Sequence, residues 1–206
     1  MVFLVTHMGL AQQVDLANQP EVLRPDVAIS NGFRFCPPIT ADGKTPTPIT
    51  TDHIWSMIPV DSDAKYATGQ QVWNWLEQEL HNVFAKDPAK RFGGWVVRFK
   101  GMTANFTMRA EKGTRVNWIR IGERPLDLAR TYLLAACERE GDSDDTLCRM
   151  EKVKNPRRAN ATMHNILREY FAHHSPVTPT IEGRITATDA PPDLLSQLEN
   201  YDYEFR

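Results

Sequence analysis

The residues best suited to hold an anion are Asn31, Gly32 and Arg34, in the stretch "SNGFRF". The apolar run Val27 to Ile29 leads straight into this Ser-Asn-Gly turn. A turn at a strand end offers backbone N–H groups, and arginine adds a planar fork that fits phosphate or sulfate oxygens. The competing expectation is an ordinary ion pair between Arg34 and a nearby acid. His7, in "LVTHMGL", ends another short apolar run beside a glycine. Metal-dependent hydrolases place ligands at such positions, but one imidazole does not hold an ion. His173 and His174 are adjacent, and neighbours on a helix point about 100° apart. They are expected to favour the helix C-terminus rather than share a metal. Glu77 and Glu79 flank Gln78 and face different sides, which predicts a solvated surface rather than a paired acid and base.

Composition narrows the functional classes. The chain has 206 residues, 41% hydrophobic and 24% charged, with a formal charge of -2. That is ordinary globular composition, long enough for one large domain or two small ones. The charge makes no case for nucleic acid or a membrane surface, and no run approaches the roughly 20 apolar residues of a membrane span. The N-terminal residues lack the basic region and the long apolar run of a secretory signal. Cys36, Cys137 and Cys148 are an odd number without a Cys-x-x-Cys pair, which predicts buried free thiols.

Strands and helices alternate irregularly, so the expected class is α+β, a mixed α/β fold of layered sheets with two long helices. Strands are predicted over residues 1–6 and Val27 to Ile29, and a short helix over residues 10–18. Residues 36–50 carry Pro37, Pro38, Pro46 and Pro48 and read as an irregular loop. Thr50 or Thr51 should cap a helix over "TDHIWSMI". "AKYATGQQVWNWLEQELHNVF" reads as a strand, a Thr-Gly turn and a helix burying Val72, Trp73, Leu76, Leu80 and Val83. "GGWVVRF" and "ANFTMRA" look like paired strands around Gly101, and "TRVNWIRIGERPLDLARTYLLAAC" like two strands around Gly122. "ATMHNILREYFAHH" is the second long helix, with Met163, Ile166, Leu167 and Tyr170 on one face. The tail carries a strand and a short helix beyond Pro192.

Three blocks in order resemble one family. "DVAISNGFRF…ITTDHIWSMIPVDSDAKYATGQQVWNWLEQEL", "RVNWIRIGERPLDLARTYLLAA" and "REYFAHHSPVTPTIEGRIT" are similar to the C-terminal domain of the 5′-nucleotidases. "SNGFRF" resembles the bacterial branch near the sulfur-oxidation thiosulfohydrolases. The implied organisation is a domain over 24–187, a tail over 188–206, and a remnant of the metallophosphatase domain over 1–23. In that remnant, His7 resembles the ligand of a "(S/T)-H-(L/M)-G" block. The family's Asp-x-His, Gly-Asn-His and Gly-His-x-His blocks have no counterpart in this sequence. The resemblance therefore implies a divalent metal pair, manganese or zinc, for the complete family enzyme and no cofactor for this chain alone.

The resemblance also implies a substrate site. The arginine of the Asn-Gly turn contacts the substrate phosphate in the family, which points to Arg34, although the turn here is one residue shorter. One ring of the family's base clamp falls on Trp95, with Phe92 as the alternative. The second ring is expected where Asp145-Thr146 stands in "EREGDSDDTL". Asn82 falls where the family makes polar substrate contacts, with a helix-end cap as the plain alternative, and Trp95 has core packing as its own. The expected function is substrate recognition in a 5′-nucleotidase-like hydrolase of nucleotides or other phosphate or sulfur esters, inactive alone. The expected partners are an anionic small molecule and a catalytic domain or second copy, not nucleic acid or a membrane. The alternative is a non-enzymatic remnant that assembles through its N-terminal strand. The family is often periplasmic or extracellular; this chain shows no export signal, so its compartment stays open.

Overall fold

The computed structural model describes residues 24–30, 48, 50–57, 62–92, 98–137, 141–157, 162–176 and 182–190. The elements expected over 1–18, nearly all of the proline-rich loop and the helix beyond Pro192 lie outside these residues.

Nine described strands form two sheets. The first has the order β3-β1-β7-β2-β8, with β1 at Val27–Ser30, β2 at Ser62–Thr68, β3 at Arg98–Lys100, β7 at Thr131–Cys137 and β8 at Lys154–Arg157. The second has the order β6-β5-β4-β9, with β4 at Met102–Phe106, β5 at Val116–Ile121, β6 at Arg124–Pro125 and β9 at Ile185–Ala187. Helices α1 (Thr51–Met57), α2 (Gly69–Phe84) and α3 (Met163–His174) complete the mixed α/β fold.

Strand β1 is buried along its whole length, as a continuous apolar run predicts for an interior strand. It runs parallel to β7, with Val27 opposite Leu134, and antiparallel to β3, with Ser30 opposite Arg98. Asp26 fixes this register: its N–H donates to the Leu133 carbonyl and its Oδ2 accepts from the Leu133 N–H, both at 2.8 Å.

Thr68 and Gly69 do not make a turn between β2 and α2. Thr68 ends β2 and is itself the helix cap, with Oγ1 accepting from Gln71 N and Gln71 Oε1 accepting from Thr68 N. This Thr-x-x-Gln capping box needs no connecting residues. Gly69 is required by its neighbour, because a Cβ there would stand 2.1 Å from the Asp127 carbonyl oxygen. Thr50 similarly caps α1: its Oγ1 accepts from His53 N, and its own N–H donates to His53 Nδ1.

Helix α2 touches both β2 and β5, so it is enclosed by both sheets. Val72, Leu76 and Leu80 are buried as predicted, but Trp73 and Val83 are only half-buried, and Trp75 is buried instead. A one-stripe expectation fails because this helix is covered on more than one side. The indole of Trp75 donates to the Cys148 carbonyl at 3.1 Å. Each fully buried leucine here contributes roughly 1.5–3 kcal/mol.

The strands around Gly101 do not pair. β3 belongs to the first sheet and β4 to the second, and Gly101 (φ +82°) carries the chain from one to the other. A Cβ at Gly101 would lie 2.2 Å from the Asp26 carbonyl oxygen. Around Gly122, β5 pairs with the two-residue β6, while β7 crosses to the first sheet. Helix α3 packs on α1 through Leu167 and Ile54, with Met163 and Phe171 beside them. The rings of Trp55 and His164 stack at 4.5 Å.

Candidate functional site

The strand directions bring five chain segments to one end of the first sheet. The chain leaves β1 at Ser30 and enters β3 at Arg98, and these two residues are partners. It leaves β7 at Cys137 and enters β2 at Ser62, again partners. β8 also ends there, because Arg157 pairs with Ala64 near the start of β2. In open α/β sheets, ligands bind beyond the carboxyl ends of parallel strands; β1 and β7 are the parallel pair here.

Asn31, Gly32 and Arg34 follow Ser30 directly, and Trp95 precedes Arg98 by three positions. These four residues, like His7, lie outside the described residues. The flanking positions are well fixed. Ser30 is 6% exposed. Arg98 is half-buried, and burial holds its pKa below the usual arginine value.

Two described segments border this end, and α2 ties them together. The first is the connection from α2 to β3. Asn82, in the last turn of α2, is buried; its Oδ1 accepts from Gln78 Nε2 at 2.7 Å. The Asn82 carbonyl accepts the Phe92 N–H at 2.8 Å. Its side chain thus pairs along the helix and does not cap it. A 3₁₀ turn at Pro88–Lys90, capped by Asp87, leads to Phe92, whose ring is 63% exposed.

The second segment follows β7. Ser143 Oγ bonds to Asp145 Oδ1 and Thr146 Oγ1, and the Thr146 N–H returns to the Ser143 carbonyl. Among the described residues of this loop there is no aromatic ring. Lys65, fully buried on β2, donates from Nζ to the Thr146 carbonyl at 2.9 Å. Further along, Cys148, Arg149 and Lys152 all have positive φ. Side chains one helical turn apart on α2 hold this strained stretch. Gln71 donates to the Glu151 and Lys152 carbonyls, Trp75 to the Cys148 carbonyl, and Glu79 binds Arg149.

Glu79 is therefore not on a solvated surface. It is 2% exposed, and both its oxygens face the Arg149 guanidinium, with Nε–Oε1 at 2.8 Å and Nη2–Oε2 closing the pair. Arg149 in turn lies over the Phe92 ring, 5.8 Å from its centre. One ion pair and one cation–π contact thus join the two segments. Glu77 is buried as well, on another side of α2, and accepts from Gly113 N (3.0 Å) and Val116 N (2.7 Å). The expectation of solvated carboxylates fails because their partners lie 36 to 70 positions away and cannot be seen in the local pattern. Gln71, Trp75 and Glu79, spaced by four, were the available signal.

His173 and His174 behave as expected of a helix end: each Nδ1 bonds the carbonyl four residues earlier, on Glu169 and Tyr170. Cys148 is a buried free thiol, also as expected. Among the described residues, no group of three or more His, Cys, Asp or Glu side chains is placed to hold a metal ion. The described residues thus do not fit a metal pair. No described helix is long and apolar enough to cross a membrane.

The model of the family described as "5'-nucleotidase, C-terminal domain" matches residues 10–138. The sulfate thiohydrolase SoxB of Thermus thermophilus is 26% identical, with a TM-score of 0.62, over 90% of this chain and 32% of that one. A 5′-nucleotidase precursor, also from Thermus thermophilus, is 18% identical, with a TM-score of 0.63, over 90% of this chain and 35% of that one. The chain thus spans about a third of the length of these solved structures. A comparison with curated proteins finds no match.

Proposed function

Because the chain belongs to the family of 5′-nucleotidase C-terminal domains, we propose that it is the substrate-recognition part of a metal-dependent hydrolase of phosphate or sulfur esters. The unit is residues 24–187, and the ligand is a nucleotide or another small anion. Arg34 and the backbone of Asn31 and Gly32 bind the anionic group, and Trp95 and Asn82 border the rest of the ligand. The single observation that supports this reading is the convergence of strand ends: Ser30 with Arg98, and Ser62 with Cys137. Asn31 follows Ser30 in the sequence, and Trp95 stands three positions before Arg98. The metal pair of this reading takes its ligands from outside the described residues, with His7 a remnant of that set, so the recognition unit does not hydrolyse by itself.

Calorimetric titration with AMP, inorganic phosphate and thiosulfate tests the reading. Saturable heat for at least one of them, weakened at least tenfold by Arg34→Ala, is expected. No heat and no change in tryptophan fluorescence at millimolar concentrations of all three would overturn it.

A further inference from the structure

Two buried side-chain polar atoms among the described residues have no hydrogen-bond partner, His81 Nδ1 and Arg115 Nε. They belong to neighbours across one junction, where the last turn of α2 meets the connection between β4 and β5. Arg115 is 2% exposed. Its Nη1 donates to the Met108 carbonyl at 2.5 Å and its Nη2 to the Phe84 carbonyl at 3.2 Å. The guanidinium is thereby fixed in place with its Nε–H unanswered. No described carboxylate pairs with it. The nearby acids are engaged elsewhere: Glu77 with the Gly113 and Val116 amides, Glu111 with Lys86, and Asp87 with the Ala89 amide.

The remaining groups around this point are cations. Lys112 precedes Gly113, which is bound to α2 one turn before His81. Lys90 sits in the 3₁₀ turn that follows α2. Both lysines are exposed, so their ammonium groups are free to close over a ligand. Burial first, then Lys112, Arg115 and Lys90, hold the His81 pKa below the ordinary histidine value. His81 thus favours the neutral imidazole at neutral pH, and its Nδ1 donates in the tautomer that places the proton there. A buried donor without an acceptor is costly, and a bound ion or water is a standard reason for finding one.

We propose that His81, Arg115, Lys90 and Lys112 form a binding site for a free tetrahedral oxyanion of the phosphate or sulfate class. The anion would accept from Arg115 Nε and His81 Nδ1, and the two lysines would balance its charge. This site is built on the β4–β5 connection of the second sheet and does not depend on Arg34 or on the strand ends of the first.

The test is thermal unfolding of the full chain in inorganic phosphate, in sulfate and in chloride at equal ionic strength. It is paired with the ¹⁵N resonance of the Arg115 Nε–H. At about tenfold excess over its dissociation constant, phosphate should raise the midpoint by roughly 3–6 °C over chloride, and the Arg115 resonance should shift saturably. The double variant Lys90→Gln/Lys112→Gln, altered only at exposed positions, should weaken binding at least fivefold. His81→Phe should reduce the phosphate-specific rise and abolish the saturable shift of the Arg115 resonance. The Arg115 resonance should shift as before in Arg34→Ala, which separates this site from the one proposed for substrate. A phosphate response no larger than that of chloride, or one unchanged in both the lysine and His81 variants, would overturn the proposal and leave water as the partner of these two atoms.

Discussion

Glu79 grips Arg149 from the buried side of α2, with both carboxylate oxygens on the guanidinium. The same guanidinium covers the Phe92 ring. The pair connects residues 70 positions apart and fixes the two described segments that lead to the proposed site. The Glu79 side chain is 3% exposed and that of Arg149 27%, so water weakens the attraction only in part. Removing Glu79 leaves the partly buried Arg149 guanidinium uncompensated. Glu79→Ala should destabilise the protein by about 3 kcal/mol or more, at the lower end of the range for broken buried pairs. Urea unfolding measures this. A loss below about 1 kcal/mol would place the pair with ordinary surface bridges.

Glu77 makes a different prediction. Its two oxygens accept backbone N–H groups of Gly113 and Val116, which anchors the β4–β5 connection to α2. Glu77→Ala orphans both amides, and hydrogen bonds to a charged group contribute roughly 1.5–3 kcal/mol each. Hydrogen exchange should show accelerated exchange at Gly113 and Val116 in this variant. The amides of β1 should exchange at nearly their original rates unless the whole fold is lowered.

Stability should also fall on mild acidification. The folded state holds the His81 pKa below its ordinary value of 6.5. Below that value the unfolded chain binds more protons than the folded one, so stability declines as pH falls from about 6.5 through the folded pKa. Glu111, Glu182 and Asp189 have pKa values lowered from 4.5, 4.5 and 3.8, by Lys86, by Arg184 and by the Arg109 and Met108 amides respectively. Their contributions are lost only at lower pH. Denaturation midpoints between pH 7 and 5 should therefore slope downward in the wild type and flatten in His81→Gln. Equal slopes in both proteins would mean that His81 is not the titrating group.

Gly101 is the covalent junction of the two sheets. Its φ of +82° and the 2.2 Å approach of the Asp26 carbonyl to a would-be Cβ act together. Gly101→Ala should cost about 2 kcal/mol or more, from left-handed strain and the displacement of a backbone oxygen. Gly113 also has positive φ, with nothing within 4 Å of its would-be Cβ. Gly113→Ala should cost less, and the difference measured by thermal unfolding isolates the steric part.

What the sequence showed depended on the range of the interaction. β1, α2 and α3 follow from local signals: an all-apolar run for the strand and apolar residues at helical spacing for the two helices. Strand pairing did not follow. β3 and β4 are adjacent in sequence, yet each finds its partner in a different sheet, because Gly101 bends the chain instead of turning it back. The buried acids were misplaced for the same reason. Glu77 and Glu79 are polar residues whose partners, Val116 and Arg149, come from far along the chain. Arg115 and Lys65 had no local signature at all, since nothing nearby in sequence predicts their burial. The strand ends that converge near Ser30 and Arg98 became visible only with the register.

The most direct measurement is a hydrogen-exchange footprint of the intact chain with and without a saturating phosphate ester such as AMP, in wild type and in Arg34→Ala. Recognition at the end of the first sheet predicts slower exchange at Ser30, Arg98 and the Gly141–Thr146 loop, with the effect lost in Arg34→Ala. Protection confined to the second sheet, or protection at Ser30 and Arg98 that survives Arg34→Ala, would contradict it.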